Sequence, residues 1–498
     1  MVLKWYIFHS MRGEYYTKAK MCMKKIFLYC VAVALVAYAG YKFWERYISE
    51  QELVIISTTD LHSDINNFAR LATAVELCRD TVETLLVDSG DRWTGNAYVD
   101  MATEPRRPII DMMNSLGYDI ATLGNHEWDA GHPFLGYINT SVAKFDMVCA
   151  NCQSDTISFP QPDAYKILRR KGKKIGFVGA VNNYDNGHPS GKTESYAGLR
   201  FDDPKQAAKR YGEQLRAECD LLVLLSHIGD DVDRELAAQS DCYDLILCGH
   251  THNKLDTLIR KTQLGQSGSG SKRVGVSRIT IKGRKVKALD YRIVELASYE
   301  EDAKMKQWIE RIYDNEVLNR PIGRSEKIMD KVGIAAWETT AMKSHFGVDV
   351  AFYHYGGIRF DEMPSQDISS GMIFGVEPFS SKLYTMVMTG AQIERMILAK
   401  YNDRENMRES HRLDIFSTEP YTIHVGESGD AQSVEFKNLQ KDAEYTVAMG
   451  DYMFNNYKDI ECRDLQRTDV LLTDVLMNHL AENSPIDFSN TPIQEIKR

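Results

Sequence analysis

Five short apolar runs in the first half of the chain are too continuous to alternate between a wet face and a dry one. They are Leu53-Val-Ile-Ile, Leu85-Leu-Val, Ile120-Ala-Thr-Leu, residues 221–225 and Leu245-Ile-Leu-Cys. Runs of this length, bounded by turn formers, predict strands buried on both faces of helix-covered sheets. Helical stretches separate them, so the chain up to about residue 297 predicts a layered α/β domain. In residues 299–317 the apolar Met305, Trp308, Ile309 and Ile312 fall at i, i+3, i+4 and i+7 among charges, which predicts an amphipathic connecting helix. A second, mixed α/β domain is expected from residue 326 to the end. Residues 265–270, rich in Gly and Ser, predict a flexible surface loop, and the basic cluster at 169–174 predicts a solvated hairpin turn between two strands.

The N-terminal segment, residues 1–50, has a different pattern. Met23-Lys24-Lys25 precedes an uncharged, largely apolar run over residues 26–41, which is the form of a secretory signal, with Met23 as an expected start. The run is sixteen residues long, short of the roughly 20 that span a bilayer comfortably. Ala37-Tyr-Ala39 offers a cleavage site, while Lys42 and Trp44 suit an uncleaved membrane anchor. Either outcome puts the rest of the chain outside the cytoplasm, as a periplasmic, secreted or anchored protein.

Composition narrows the classes further. A chain of 498 residues with 43% hydrophobic and 26% charged residues is ordinary globular material for two or three domains. A net charge of -10, with no long basic stripe, argues against a protein that wraps a nucleic acid polymer. Nine cysteines, two of them in or before the signal, leave seven, which cannot all pair within one chain. Buried thiols are the expectation, including for Cys149 and Cys152.

Chemistry enters at the ends of the five runs. Each ends in metal-ligand residue types beside small turn formers: Asp60-Leu-His62, Gly90-Asp91, Gly124-Asn125-His126-Glu127, Ser226-His227 and Gly249-His250-Thr-His252. Ligands gather beyond the carboxyl ends of buried strands, so residues far apart in sequence converge there. Two carboxylates, one amide and four imidazoles suit two borderline divalent ions such as Zn, Mn or Fe better than Mg or Ca. Asp91, the one ligand on its strand end, is the expected bridge. Asp60 and His62 are spaced to chelate one ion, and His250 and His252 to point at different ones. His126 would project toward a substrate, with Asp129 to orient it.

These motifs resemble those of the calcineurin-like metallophosphoesterases, and their spacing resembles the periplasmic 5'-nucleotidase/UDP-sugar hydrolase family. In the second half, Tyr355-Gly356-Gly357-Ile-Arg359, Pro378-Phe379, Met388-Thr-Gly-Ala391 and Tyr445-Thr-Val-Ala448 resemble that family's C-terminal substrate-binding domain. The resemblance implies a four-layer-type metallophosphoesterase sandwich over residues 51–297 and a connecting helix and linker over 298–325. A C-terminal mixed α/β domain would follow over 326–498. It also implies His126 and Asp129 as the catalytic dyad, and hydrolysis of 5'-nucleotides to nucleoside and phosphate. Gly356 and Gly357 would let backbone approach the substrate, and Arg359 would grip a phosphate in two places, serving nucleotides more than a small generic ester. Tyr457 or Phe454 is placed to stack on a base. The chain departs from the family at His354, where Asn is usual, at Ser380-Ser381 for Gly-Asn, and at residues 455–460 for Asn-Gly-Gly-Asp-Gly. Cyclic nucleotides, sugar nucleotides or sulfur esters are alternative substrates for the same metal site. A catalytically silent nucleotide-binding surface protein is the alternative outside enzymes.

Overall fold

The computed structural model describes residues 2–184, 187–403, 413–491 and 494–497. A helix, Val2–Tyr47, precedes the first strand, and its stretch Met23–Trp44 is long and apolar enough to cross a membrane, with none of it buried against the rest of the chain. Helical continuity on both sides lengthens the 16-residue run expected from charge alone to 22 residues.

Two six-stranded sheets stack face to face. The first runs, in spatial order, Lys285–Glu295, Arg273–Lys282, Glu50–Thr58, Glu83–Asp88, Ile120–Thr122 and Asp146–Val148, with the last four parallel. The second runs Lys254–Ile259, Thr262–Ser267, Leu245–Leu247, Leu221–His227, Lys173–Val181 and Tyr165–Arg170, parallel at its centre. The apolar runs are continuous because both faces are dry. Leu53, Ile55, Leu85 and Val87 meet Phe177, Val223 and Leu247 between the sheets. The alternate residues Val54, Ile56 and Leu86 pack under outer helices with Phe68, Leu71 and Ile110, and Leu222, Leu224 and Ile246 do the same on the other side. The result is the four-layer sandwich expected.

The hairpin between Tyr165–Arg170 and Lys173–Val181 turns at Lys171 and Gly172, both with positive φ. Residues 265–270 differ from expectation. Gly265, Gln266 and Ser267 lie buried inside the strand Thr262–Ser267, and a Cβ on Gly265 would strike the ring of Tyr291. Here glycine makes room for a tyrosine of the facing sheet, which composition cannot distinguish from a loop. Cys149, Cys152, Cys219, Cys242 and Cys248 are buried free thiols, and burial pushes the Cys149 thiol up to about 11.

The connecting helix is Ala303–Tyr313, capped by Asp302, whose side chain accepts from the Met305 N–H. Met305 and Ile309 are buried in the outer helical layer of the first domain. The second domain is built on a five-stranded sheet ordered Ile415–Ser417, Val350–His354, Glu444–Gly450, Lys382–Thr389 and Arg463–Leu471. Helices Lys331–Phe346 and Leu472–Asn483 cover one face, and Gly390–Asn402 covers the other.

Candidate metal centre

Asp60, Asp91 and Asn125 follow strands of the first sheet, whereas His227 ends a central strand of the second and His250 follows its neighbour. The carboxyl edges of both sheets therefore meet at one place. To turn side chains inward there, the backbone adopts left-handed conformations that only glycine enters freely. Asp60 (φ 50°), His62 (48°), Asp91 (57°), His250 (78°) and His252 (57°) all do so. Each costs on the order of 1 kcal/mol, and such strain concentrates where function requires the geometry. Gly124 is required by close approach, since a Cβ there would overlap Asp91 Oδ1.

The ligand atoms fall into three groups, each within 4.8 Å: Asp60 with His62 and His252, Asp91 with His227 and His250, and His62 with Asp91 and His126. Asp91 belongs to two of them. His227 Nδ1 lies 2.7 Å from the Ser89 carbonyl oxygen, a contact that fixes the proton on Nδ1 and turns Nε2 toward Asp91 Oδ2 at 3.1 Å and Asp60 Oδ1 at 3.8 Å. His252 Nε2 lies 3.4 Å from Asp60 Oδ1 and 3.0 Å from His62 Nε2. Asn125, 4% exposed, accepts at its Oδ1 from Asn182 Nδ2 at 3.4 Å. Buried carboxylates facing bare imidazole nitrogens are the donor set of borderline divalent cations, so the residues fit the metal ions that the resemblance implies.

Electrostatics follow from that packing. Burial works against the Asp91 carboxylate, but His227 and His126 hold it well below the usual range. Burial likewise opposes charge on His227, yet Asp91 and Asp60 raise it to about 10. His126 is also raised, by Asp91 and Asp129 against burial. Its Nδ1 lies 2.8 Å from Asp129 Oδ2, and that same oxygen accepts from Thr94 Oγ1 at 2.7 Å. His62 is pushed down by burial and by the Arg359 charge.

Glu127 has a structural part that its motif did not reveal. Fully buried, it accepts from the backbone N–H groups of Asp91 (2.9 Å), Gly124 (2.5 Å) and Arg92 (2.9 Å). One carboxylate thus clasps two ligand-bearing tips together.

A cleft of about 560 Å³ opens between the two domains, with the metal centre on one wall. Arg359 crosses it. Its Nη2 lies 2.7 Å from His62 Nδ1 and 3.4 Å from His126 Nε2, and its guanidinium stands over Phe379, which stacks on His126 at 5.6 Å. Gly356 and Tyr457 line the cleft; Tyr457 donates to Asp414. Two expected substrate residues lie elsewhere. Phe454, partly buried, packs against Tyr384 and Arg467 at the edge of the second domain's core. Gly357 faces Tyr353 and His354, so its small size serves packing. Sequence reasoning missed Arg106, Lys192 and Lys331, all lining the cleft, and Asn182, which lies behind Asn125. Arg106 carried a signal visible only in the backbone, a left-handed φ of 63° in a non-glycine residue.

The calcineurin-like phosphoesterase family matches residues 53–254, and the 5'-nucleotidase C-terminal domain matches residues 314–462. The chain thus carries a calcineurin-like phosphoesterase domain followed by a 5'-nucleotidase C-terminal domain. Endonuclease YhcR of Bacillus subtilis is 23% identical over 480 residues, covering 83% of this chain and 38% of that protein. Protein UshA of Yersinia enterocolitica is 23% identical over 450 residues, 75% of this chain and 80% of that one. The structure of a 5'-nucleotidase precursor from Thermus thermophilus shares the fold of this chain. It superposes with a TM-score of 0.77 at 18% identity, covering 89% of this chain and 99% of that one. The chain spans less than half the length of the first curated relatives it matches.

Proposed function

We propose that this phosphoesterase hydrolyses phosphate monoesters at a dinuclear metal centre, with 5'-nucleotides as its main substrates. The observation that carries the reading is Asp91, shared between two ligand groups that draw on both sheets. Asp60, His62 and His252 would hold one ion, and His227, His250 and the Asn125 amide oxygen the other, with Asp91 between them. Two divalent ions of the Zn, Mn or Fe kind would supply Lewis acidity to the phosphoryl oxygens and a nucleophilic water for in-line attack.

The remaining steps belong to the chain's own residues. Arg359 neutralises the phosphoryl group from the opposite wall of the cleft. As the bond from phosphorus to the ester oxygen breaks, the departing oxygen takes the proton from His126 Nε2. Asp129, held by Thr94, keeps that imidazole oriented and favours its charged form. Residues 51–297 thus carry the chemistry, 298–325 the connection and 326–498 the grip on substrate. The apolar helix at the N-terminus would direct or anchor the enzyme outside the cytoplasm.

The test is a panel of phosphate esters assayed with Mn, Zn and Co, with metal content measured alongside. Asp91→Ala should abolish turnover and leave at most one ion per chain, whereas His126→Ala should keep both ions and lose most of the turnover. Two ions retained in Asp91→Ala would sink the assignment. Faster hydrolysis of a cyclic, sugar or sulfur ester than of any 5'-nucleotide would move the substrate while leaving the centre in place.

A further inference from the structure

Three hairpins of the first domain turn at the edge opposite the metal centre, where the parallel strands of both sheets begin. One joins Tyr165–Arg170 to Lys173–Val181, another Lys254–Ile259 to Thr262–Ser267, and the third Arg273–Lys282 to Lys285–Glu295. Residues 169–174, 260–261 and 282–285 at these turns hold ten Lys or Arg and no Asp or Glu, in a chain whose net charge is -10. Turn geometry favours Gly, Asn and Asp, so it does not account for the cations.

The acids at the neighbouring strand starts do not account for them either. Glu83 and Asp119 pair with Arg170, and Asp220 pairs with Arg284. Asp146 and Asp244 pair with Lys166 and Arg216, which lie outside the turns. Glu50, whose ionised form the Lys282 charge favours, is bonded by Lys287 at 2.9 Å. Arg169, Lys261, Lys282 and Lys285 are exposed, and among the described residues no carboxylate lies within ion-pair distance of any of them.

The N-terminal helix arrives at the same edge. The Ser49 carbonyl oxygen accepts from the Gly283 N–H and from the Lys173 ammonium, each at 3.1 Å, and that buried ammonium also donates to the Gly283 carbonyl oxygen at 2.8 Å. Two of the basic turns are therefore fastened to the foot of the apolar stretch Met23–Trp44. The helix continues to Tyr47, so Ser49 follows Trp44 by about 8 Å at roughly 1.5 Å per residue. A bilayer that takes up the apolar stretch has its surface about one Debye length from these turns, close enough for their charges to act on it.

Resting on the anchored reading of that helix, we infer that the three turns form a seating face for anionic phospholipid headgroups. The strand Glu50–Thr58 leads from this face toward Asp60, a distance of about 30 Å at roughly 3.3 Å per residue. The cleft is thereby held away from the bilayer and opens toward dissolved substrate.

Amine acetylation of the full chain in lipid nanodiscs, read lysine by lysine by mass spectrometry, tests this. In discs with one-third phosphatidylglycerol, Lys171, Lys261, Lys282 and Lys285 should react about fivefold more slowly than in discs of phosphatidylcholine alone, the gain of one lysine near an anionic surface, while Lys437 of the second domain reacts equally in both. Salt at about 1 M should cancel the difference in the native chain. Lys261→Glu combined with Lys285→Glu should cancel it at Lys171 and Lys282 with the melting temperature kept. Equal rates in the two kinds of disc overturn the inference, as does a slowing that survives salt or extends to Lys437. Slowing by a DNA duplex in phosphatidylcholine discs, without a response to phosphatidylglycerol, would assign the face to a nucleic acid polymer and overturn it too. A chain that enters no disc would remove the anchored reading and this inference together, and leave the phosphoesterase proposal standing.

Discussion

Arg359→Ala separates two pictures of how the halves of this protein cooperate. By motif, Arg359 belongs to the substrate-binding domain, and its loss should raise KM for nucleotides while sparing a small generic ester. The structure argues otherwise. Its Nη2 lies 2.7 Å from one ring nitrogen of His62, 3.0 Å from the other, and 3.4 Å from His126 Nε2. Under the proposed function a guanidinium in that place would contact the phosphoryl group itself, which every phosphate monoester shares. A charge-assisted hydrogen bond to a buried anion contributes about 1.5–3 kcal/mol, which is roughly ten- to a hundredfold in affinity. Arg359→Ala should therefore lower kcat/KM by about that factor on both AMP and p-nitrophenyl phosphate, with two metal ions still bound. Arg359→Lys should recover part of the loss, since it keeps the charge and loses the fork. A variant that loses nucleotide hydrolysis alone, with p-nitrophenyl phosphate turned over at the native rate, would refute the reasoning.

Glu127→Gln should weaken metal retention and lower the melting temperature together, because an amide can accept from only one of its two arms while three backbone donors depend on the carboxylate; the cost expected is about 1–3 kcal/mol, read by thermal unfolding. Lys331→Met should stabilise the fold by about 1–3 kcal/mol at neutral pH. The Lys331 pKa is depressed in the folded state, so the gain is full below about pH 8 and shrinks as pH rises from there toward 10.5, where the unfolded lysine titrates. A Lys331→Met protein no more stable than the native one would count against a burial cost on that charge. Asp233 is pushed up to about 7, chiefly by burial. Its raised carboxyl favours folding when protonated, so its contribution should fall as pH rises from about 4 to 7 and stay flat above. Asp233→Asn should remove that slope from a urea-denaturation series, and an unchanged slope would contradict it.

The metal side of this protein was legible in the chain because its information is local. Each ligand follows directly on an apolar run, and a strand that is dry on both faces must end at the sheet edge, so the tips converge wherever the sheets do. The order of the runs, the glycines beside them and the helix with Met305 and Ile309 on one face all express that short-range logic. The substrate side was legible only in part. Arg359 and His62 are 297 positions apart, and only docking of the two domains brings them within 2.7 Å. Tyr457 and Phe454 are equally aromatic and three positions apart; both pack partly buried against the same core, but Tyr457 lines the cleft while Phe454 packs on Tyr384. Residues 265–270 read as a loop because composition carries no trace of Tyr291 packing on them from the facing sheet. Lys331 carries no signal in the chain, and its charge became costly only through burial in the folded protein. Spacing along a chain determines which residues share a strand end, but contacts across a domain interface depend on the relative placement of two separately built cores, which no local pattern encodes.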